Sequence, residues 1–445
     1  MTMPLEPRVL SVGQMTAPCL CIEADVSTAL AGIPPQDGPC RAVCAWLLVS
    51  FHTEAIGSLI IEVPPQGLTG EQIEAVVTRE FWGSITVRQA TSGTDGASLP
   101  AFLATRGEVL RHAPKMTVVV CTHERPEGLD ACLQSLLVQE YPDFSILVID
   151  NAPSTDRSKS IVDALASPLI QYVVEPTKGL SWARNKALEM IDDGIVAWID
   201  DDEVADKHWL AELARGFHDH PEADAVSGVM VPGELETSAQ VWFEQYGGMN
   251  KHRGFKPDVF SPRTARLQSP LYPLPSFGTG GNMAFRAGVI QRIGGFDVAL
   301  GAGSRCMGAE DTLAFTELLR TSGTVVYQPT AVTHHFHRRT AEELRRQMLG
   351  YGIGLSAFYT SLIWHHPRNI LALIRLLPMA YRDLFSSQSL QSGDLPADFP
   401  AEFLSIKRRG MTVGPWSYVR AQFDVAGLHR KREADNAGAA RPVGV

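Results

Sequence analysis

The stretch Gly194–Asp206, GIVAWIDDDEVAD, decides how the rest of the chain is read. Ile195 to Ile199 is an unbroken apolar run of strand length, and it passes directly into Asp200, Asp201, Asp202 and Glu203. A strand without polar alternation is covered on both faces, as in a parallel sheet lying between helices. Four adjacent carboxylates at its end repel one another at neutral pH, a cost that only a cation or a hydrogen-bond network offsets. The cluster is therefore either a solvated loop or an oxygen-rich cation site, and removing one charge is expected to relieve the empty protein. Acidic residues also favour the first turn of a helix. Because VADKHWLAELARGF follows with helical spacing, Glu203 and Asp206 are assigned to that helix start.

The same pattern extends upstream. KMTVVVCTHERP, FSILVIDNAPSTD and IQYVVEPT are strand-like, while EGLDACLQSLLVQEY, SKSIVDALAS and GLSWARNKALEMIDD are helical. In the first of these helices Leu129, Cys132, Leu133, Leu136 and Leu137 share a face. Strands alternating with helices predict a mainly parallel sheet with crossovers, whose ligands sit at the carboxyl ends of the strands. Those ends are Thr122 to Arg125, Asp150 to Asn151 and Asp200 to Glu203, which together imply one acidic cleft. Downstream, residues 246–275 form a long stretch rich in Pro, Phe and Tyr, read as a lid. FGTGGNMAFR is strand-like, with glycines that allow backbone to approach a ligand, and MGAEDTLAF opens a helix with an acidic pair. In AVTHHFHRRT, strand alternation places His335 and His337 on one face and His334 on the other.

Taken in order, TVVVCTHERP, LVIDNAPSTD, KGLSWARNKALE, WIDDDE, GTGGNMAFRAGVIQRIGGFD and GAEDTLAF resemble the successive motifs of family 2 glycosyltransferases with the GT-A fold, from about Met116 to His337. Asp150-Asn151 departs from the two acidic residues that many members carry. The resemblance implies a metal-dependent, inverting transfer of a sugar from a nucleotide-diphosphate sugar to an acceptor hydroxyl. Hard cations such as Mg2+ or Mn2+ take oxygen ligands, and a bound cation stabilises negative charge on the leaving diphosphate. By resemblance Asp202, Asp200 and His335 hold the metal, with His337 as second choice. Thr122, Glu124, Asp150, Arg184, Asp200 and Asp201 meet the donor, with Lys178 preceding Arg184. Asn282 touches the acceptor. Asp311 is the general base, and Glu310 is its acceptor-binding partner or alternate. Two further readings are weighed. A sugar-phosphate nucleotidyltransferase would want a Gly-rich basic loop where CTHERP stands, and a non-catalytic nucleotide-sugar-binding protein would not need the intact acidic groups.

With 445 residues, 45% hydrophobic and 20% charged, the chain is expected to form a globular protein of two or three domains. The expected division is an accessory α+β domain over 1–112, a GT-A catalytic domain over 113–340, and a helical extension over 341–445 ending in a disordered tail. The net charge of -10 argues against nucleic acid as a partner. The charge is uneven, however, since the part from Ala341 onward carries 13 Lys plus Arg against 9 Asp plus Glu. There, RNILALIRLLPMAYRDLF places Arg368, Arg375 and Arg382 seven apart, with Pro378 expected to kink or divide the helix. This stripe is read as packed on the catalytic domain with solvated arginines, or as peripheral contact with an anionic membrane. Seven scattered cysteines suggest a reducing compartment. Cys19/Cys21 and Cys40/Cys44 fit no common zinc spacing and read as buried thiols. With no basic-then-apolar leader and no run long enough to span a bilayer, the expected location is cytoplasmic, with possible attachment at the inner face of the membrane.

Overall fold

The computed structural model describes residues 6–36, 38, 41–90, 100–250, 253–262, 264, 269–272, 277–385, 395–396 and 399–439. The N-terminal part holds β1 (Val9–Leu10), β2 (Cys19–Asp25), β3 (Cys44–Phe51) and β4 (Glu54–Glu62), followed by α1 (Gly70–Ala90) and α2 (Ala101–Arg111). Its sheet runs β1-β4-β3-β2. Nearly all of β3 is buried because both of its faces are covered. Ala45, Leu47, Val49 and Phe51 pack with Ile73 and Val77 of α1. The alternate residues Cys44, Trp46 and Leu48 join Leu235, Val241 and others of the following part in a common core. The four strands thus form a layer of a larger body. Cys19 and Cys44, opposite one another in this sheet, are free buried thiols, while Cys40 lies outside the described residues.

The central part contributes β5 (Met116–Thr122), α3 (Pro126–Leu137), β6 (Phe144–Asn151), α4 (Arg157–Leu165), β7 (Ile170–Glu175), α5 (Leu180–Leu188), β8 (Ile195–Asp200), β9 (Glu203–Ala205), α6 (Trp209–Asp219), β10 (Ala225–Pro232), α7 (Ser238–Gln245), β11 (Asp258–Phe260), β12 (Met283–Arg286), α8 (Val289–Arg292), α9 (Glu310–Arg320) and β13 (Val325–His335). The main sheet runs β11-β13-β10-β12-β8-β5-β6-β7, with β9 paired to β13. From the pairings, β5 to β8, β10 and β13 point one way, and β9, β11 and β12 run against them. The mainly parallel α/β architecture is therefore present. In register, Thr122 lies beside Asp150 and Cys121 beside Asp200, so the three polar strand ends form one line. Alternate residues of β5 enter two cores, Val118 and Val120 on one face and Val119 on the other.

Three expectations are corrected here. Glu203 and Asp206 do not open a helix: Glu203 begins β9, Asp206 lies in the turn beyond it, and the helix starts at Trp209. α11 (Asn369–Phe385) runs through Pro378, so of the two expected effects only division is overturned. The tail read as disordered instead continues α12 (Ala401–Ala439), and only residues 440–445 lie outside the described residues. Much of the lid stretch, including 265–268 and 273–276, lies outside them as well.

The C-terminal helices pack closely because of glycines. α10 (Ala341–His365) begins with a capping box between Thr340 and Glu343. A Cβ on Gly352 of α10 would lie 2.0 Å from the Lys407 carbonyl oxygen, and one on Gly410 of α12 would lie 2.4 Å from that of Leu349. Only glycine allows this backbone approach. Among the described residues, no helix is long and apolar enough to cross a membrane.

Candidate active site

The aligned strand ends open into a cavity of about 620 Å³. Its floor includes Thr122, Arg125, Arg184, Asp200, Asp201 and Asp202, and one side carries Glu310, Asp311 and His335. The opposite side comes from α10 and α12, through Tyr351, Phe358 and Lys407. Sequence reasoning brought most of the floor together but gave these two helices no part in the site. Their signal was present in GYGIGLSAF and RRGMTVG, where glycines at helical spacing mark a close helix crossing.

The acidic cluster is already compensated. Arg125 donates from Nη1 to Asp201 Oδ1 at 3.1 Å and to Asp202 Oδ2 at 2.7 Å. Arg338 Nη2 lies 3.3 Å from Asp202 Oδ2. Burial would raise the Asp202 carboxyl, but the Arg125 and Arg338 guanidiniums oppose it, and the carboxyl stays below its ordinary value. Asp201 is pushed up to about 6, chiefly by burial, while accepting a 2.8 Å hydrogen bond from the Thr122 hydroxyl. The expectation of uncompensated repulsion at Asp202 is thereby corrected: two guanidiniums occupy the carboxylate. Neither arginine was among the predicted site residues, although Arg125 stands at a predicted strand end and Arg338 follows the histidines directly.

Arg184 lines the cavity and ties its acidic groups together. It is 2% exposed and donates to Glu310 Oε1 at 2.9 Å, the Gly280 carbonyl at 3.0 Å and Asp200 Oδ1 at 3.4 Å. Its guanidinium joins the two acidic groups. Burial pushes Glu310 up to about 7 despite the opposing pull of Arg184. Asp311 is half-buried, and its Oδ1 accepts from the Thr312 amide at 2.6 Å and the Thr312 hydroxyl at 3.2 Å. The other oxygen, Oδ2, faces Gly280. Gly280 and Gly281 of the GTGG motif make room for side chains as well as lining the cavity. A Cβ on Gly280 would lie 2.7 Å from Arg184 Nη2, and one on Gly281 would lie 1.7 Å from Glu203 Oε1.

Three predicted contacts turn away from the cavity. Asp150 is fully buried, accepts from the Tyr172 hydroxyl at 2.6 Å and is absent from the cavity wall. Its neighbour Asn151 lines the cavity and braces the loop after β7, its Oδ1 accepting from the Gly179 amide at 2.7 Å. Glu124 is exposed and accepts from the Ser154 amide at 2.5 Å. Asn282, the predicted acceptor contact, is 0% exposed: it accepts from Trp209 Nε1 and donates to the carbonyls of Val229 and Ala331, each at 2.9 Å. An amide so fully used is part of the fold. Lys178 and His335 do reach the cavity. His337 turns to Glu244, and His334 to Glu23 of β2.

Oxygen ligands suited to a hard cation lie together. Ligand oxygens of Asp200, Asp202 and Glu203 all fall within 4.8 Å of one another. Glu203, which had been assigned to a helix start, is 1% exposed and is faced by the Thr333 side chain and the Asp200 backbone. Burial and then Asp200 push its carboxyl well above the usual range. This is the donor set of a Mg2+ or Mn2+ site rather than a zinc site.

Residues 117–294 match the protein family described as Glycosyl transferase family 2. A glucosyl-dolichyl phosphate glucuronosyltransferase of Haloferax volcanii is 25% identical over 236 residues, covering 51% of this chain and 71% of the relative. The succinoglycan biosynthesis protein ExoM of Rhizobium meliloti is 27% identical over 229 residues, covering 48% of this chain and 64% of that protein. Of an uncharacterized Mycobacterium tuberculosis protein, 27% identical over 135 residues, the chain covers 30% of its own length and spans 41% of the relative. Among solved structures, a mannosyltransferase from Pyrobaculum calidifontis in complex with GDP-Man and Mn2+ has a TM-score of 0.41 at 20% identity, covering 74% of this chain and 80% of that one. The ordered motifs resolve into one cleft at the carboxyl edge of the sheet, and residues 117–294, which span strands on both sides of it, are the part of the chain that is similar to family 2 glycosyltransferases.

Proposed function

We propose that the chain is a divalent-cation-dependent, inverting glycosyltransferase that moves a sugar from a nucleotide-diphosphate sugar to an acceptor hydroxyl. One observation carries the reading: a single cavity is bordered by a cluster of oxygen ligands and by an acidic pair joined to it through Arg184. Asp200 and Asp202 hold the cation, with Glu203 and His335 beside them. A Mg2+ or Mn2+ ion there supplies Lewis-acid stabilisation of charge developing on the leaving diphosphate. Arg125, Arg338 and Lys178 are placed to donate charge-assisted hydrogen bonds to phosphate oxygens. Asp311, with one oxygen anchored at Thr312, accepts the acceptor hydroxyl's proton on Oδ2. The hydroxyl oxygen then bonds the anomeric carbon as the bond to the diphosphate breaks on the opposite face, inverting that centre. Glu310 fixes Arg184 and borders the acceptor.

The acceptor lies against Tyr246, Tyr351 and Phe358, an aromatic wall suited to a glycan or a lipid-linked sugar. The names of the Haloferax and Rhizobium relatives support that class. Peripheral membrane contact on the cytoplasmic side is supported by Ile370, Leu371, Ile374, Leu377 and Tyr381, an exposed stripe on α11 beside Arg368 and Arg375. On α12, exposed Trp416 and Phe423 flank exposed Arg420. The side chain of Arg382 lies outside the described residues. A panel of nucleotide sugars, assayed for nucleoside-diphosphate release and thermal shift with Mn2+ or EDTA, tests the reading. One donor should stabilise the protein only with metal and release its diphosphate. Formation of nucleoside triphosphate from pyrophosphate and the sugar nucleotide would indicate a nucleotidyltransferase, and no donor response would refute catalysis at this site.

A further inference from the structure

A line of three buried or half-buried side chains runs from the acidic cluster to the back of the site. His335 Nε2 lies 3.7 Å from Asp202 Oδ1. On the other edge of that ring, His335 Nδ1 is 2.7 Å from His337 Nδ1. His337 Nε2 is in turn 2.7 Å from Glu244 Oε1 on α7. Phe243 packs edge-on against the His337 ring, with centroids 4.8 Å apart, and the two histidines are 5% and 3% exposed. Nothing in the reaction proposed above uses His337 or Glu244.

Hydrogen-bond chemistry orders the protons along this line. A carboxylate only accepts, so the His337 Nε2 atom carries a proton and donates it to Glu244. His335 Nε2, 3.7 Å from Asp202, has no hydrogen-bond partner among the described residues, so the proton of that ring belongs on Nδ1. The 2.7 Å contact between the two Nδ1 atoms needs one donor and one acceptor, so His335 supplies the proton from its Nδ1. The 3.7 Å gap to Asp202 is too long for a shared proton, which agrees with a bare nitrogen there. We propose that Glu244 and His337 are positioning residues that lock His335 in the Nδ1–H tautomer, so that its Nε2 lone pair faces Asp202 as a ready cation ligand. Partners of this kind set which ring nitrogen of a histidine can bind a metal. The proposal rests on the cation site described above.

Long-range proton–nitrogen NMR of histidine-labelled, metal-free protein reads the tautomer directly. The expected spectrum has a protonated Nδ1 and a bare Nε2 on His335; a proton on Nε2 overturns the proposal. Mn2+ affinity, measured by electron paramagnetic resonance of the free ion without donor sugar, gives the second readout. His337→Phe keeps a packed ring but removes the acceptor, and should weaken Mn2+ binding about 10- to 100-fold. His337→Asn places a carbonyl where Nδ1 stands and should restore most of that loss. Equal Mn2+ affinity in the parent and His337→Phe overturns the positioning role. A parent protein with the bare Nε2 but no affinity for Mn2+ supports the tautomer lock and removes only the cation site.

Discussion

Arg184→Met preserves the length and apolar packing of a side chain that lies between Trp198 and Phe296, at 5.8 and 5.4 Å from their ring centroids, and deletes its charge. The guanidinium is 2.9 Å from Glu310 and 3.4 Å from Asp200. At an effective dielectric of about 20 each contact is worth roughly 5 kcal/mol of gross attraction, most of it cancelled by the burial of the charges. Breaking such a buried set by removing one partner costs about 3–5 kcal/mol. The cost depends on pH with a definite sign. Burial already pushes Glu310 up to about 7 with Arg184 beside it, and without the arginine its carboxyl must rise further. Stability held by a protonated Glu310 is fully present below the unfolded value, about 4.3, and is lost as pH rises through the folded value. The parent and variant should therefore differ least near pH 5, where Glu310 is protonated in both, and most near pH 8. A rise of one unit or more in the Glu310 value adds about 1.4 kcal/mol to that gap at pH 8. Urea unfolding of metal-free protein at pH 5, 6.5 and 8 measures it. A gap that stays constant across this range would refute the view that Arg184 acts as a charge brace for Glu310.

Asp202→Asn should abolish Mn2+-dependent binding of nucleoside diphosphate in calorimetry. Because Arg125 and Arg338 lose their partner, it should also lower the metal-free melting temperature, and a higher one would mean that repulsion within the cluster dominates. Asp311→Asn should cut turnover by roughly 100-fold or more while leaving donor affinity nearly unchanged. Glu310→Gln should act partly through acceptor affinity, and the opposite ranking in transfer assays would exchange their roles. Sedimentation with phosphatidylserine-containing vesicles at low salt should pull down the parent protein. Replacing Arg368, Arg375 and Arg420 with Gln should weaken that binding by roughly 1 kcal/mol per charge, and absence of parent binding would end the membrane reading.

The sheet was legible because its signals are local. Unbroken apolar runs such as Val118–Val120 and Ile146–Ile149 belong to strands covered on both faces, and the polar residues after them mark the ligand edge. The direction of individual side chains was not legible. Asp150 and Asp200 both end parallel strands, yet one turns to Tyr172 inside the protein and the other lines the cavity. Asn282 looked like a ligand contact because it follows two glycines, but it answers the polar groups of Trp209, Val229 and Ala331. Glu203 looked like a helix start because the helix after it is strongly amphipathic, and the three-residue strand between them has no period to detect. Arg125, Arg338 and Lys407 meet the cavity only through tertiary packing, which local patterning does not record.

That packing also gives the N-terminal layer its physical task. The cavity wall draws on residues from Cys121 onward, so among the described residues the first 112 contribute nothing to it directly. They contribute instead to β13, the strand that ends in His335. Glu54 of β4 holds Arg215 of α6 at 3.0 Å, and Arg106 of α2 holds Glu212 of α6 at 2.7 Å. The opposite oxygen of Glu212 accepts from the Thr330 hydroxyl of β13 at 2.5 Å, and Arg215 donates to the same hydroxyl at 3.1 Å. All four charged groups are buried, and burial is opposed at Glu212 by Arg215 and Arg106, which together hold its carboxyl below the ordinary value. A buried network of this kind contributes little net stability compared with an apolar replacement, but it penalises any arrangement that separates its partners. Thr333, further along the same strand, faces the Asn282 amide at 3.3 Å, and His335 closes the strand beside Asp202. The N-terminal layer therefore meets the frame of the site at α6 and, through it, at β13. It fixes where β13 lies against α6, and β13 fixes where the imidazole stands relative to the carboxylates.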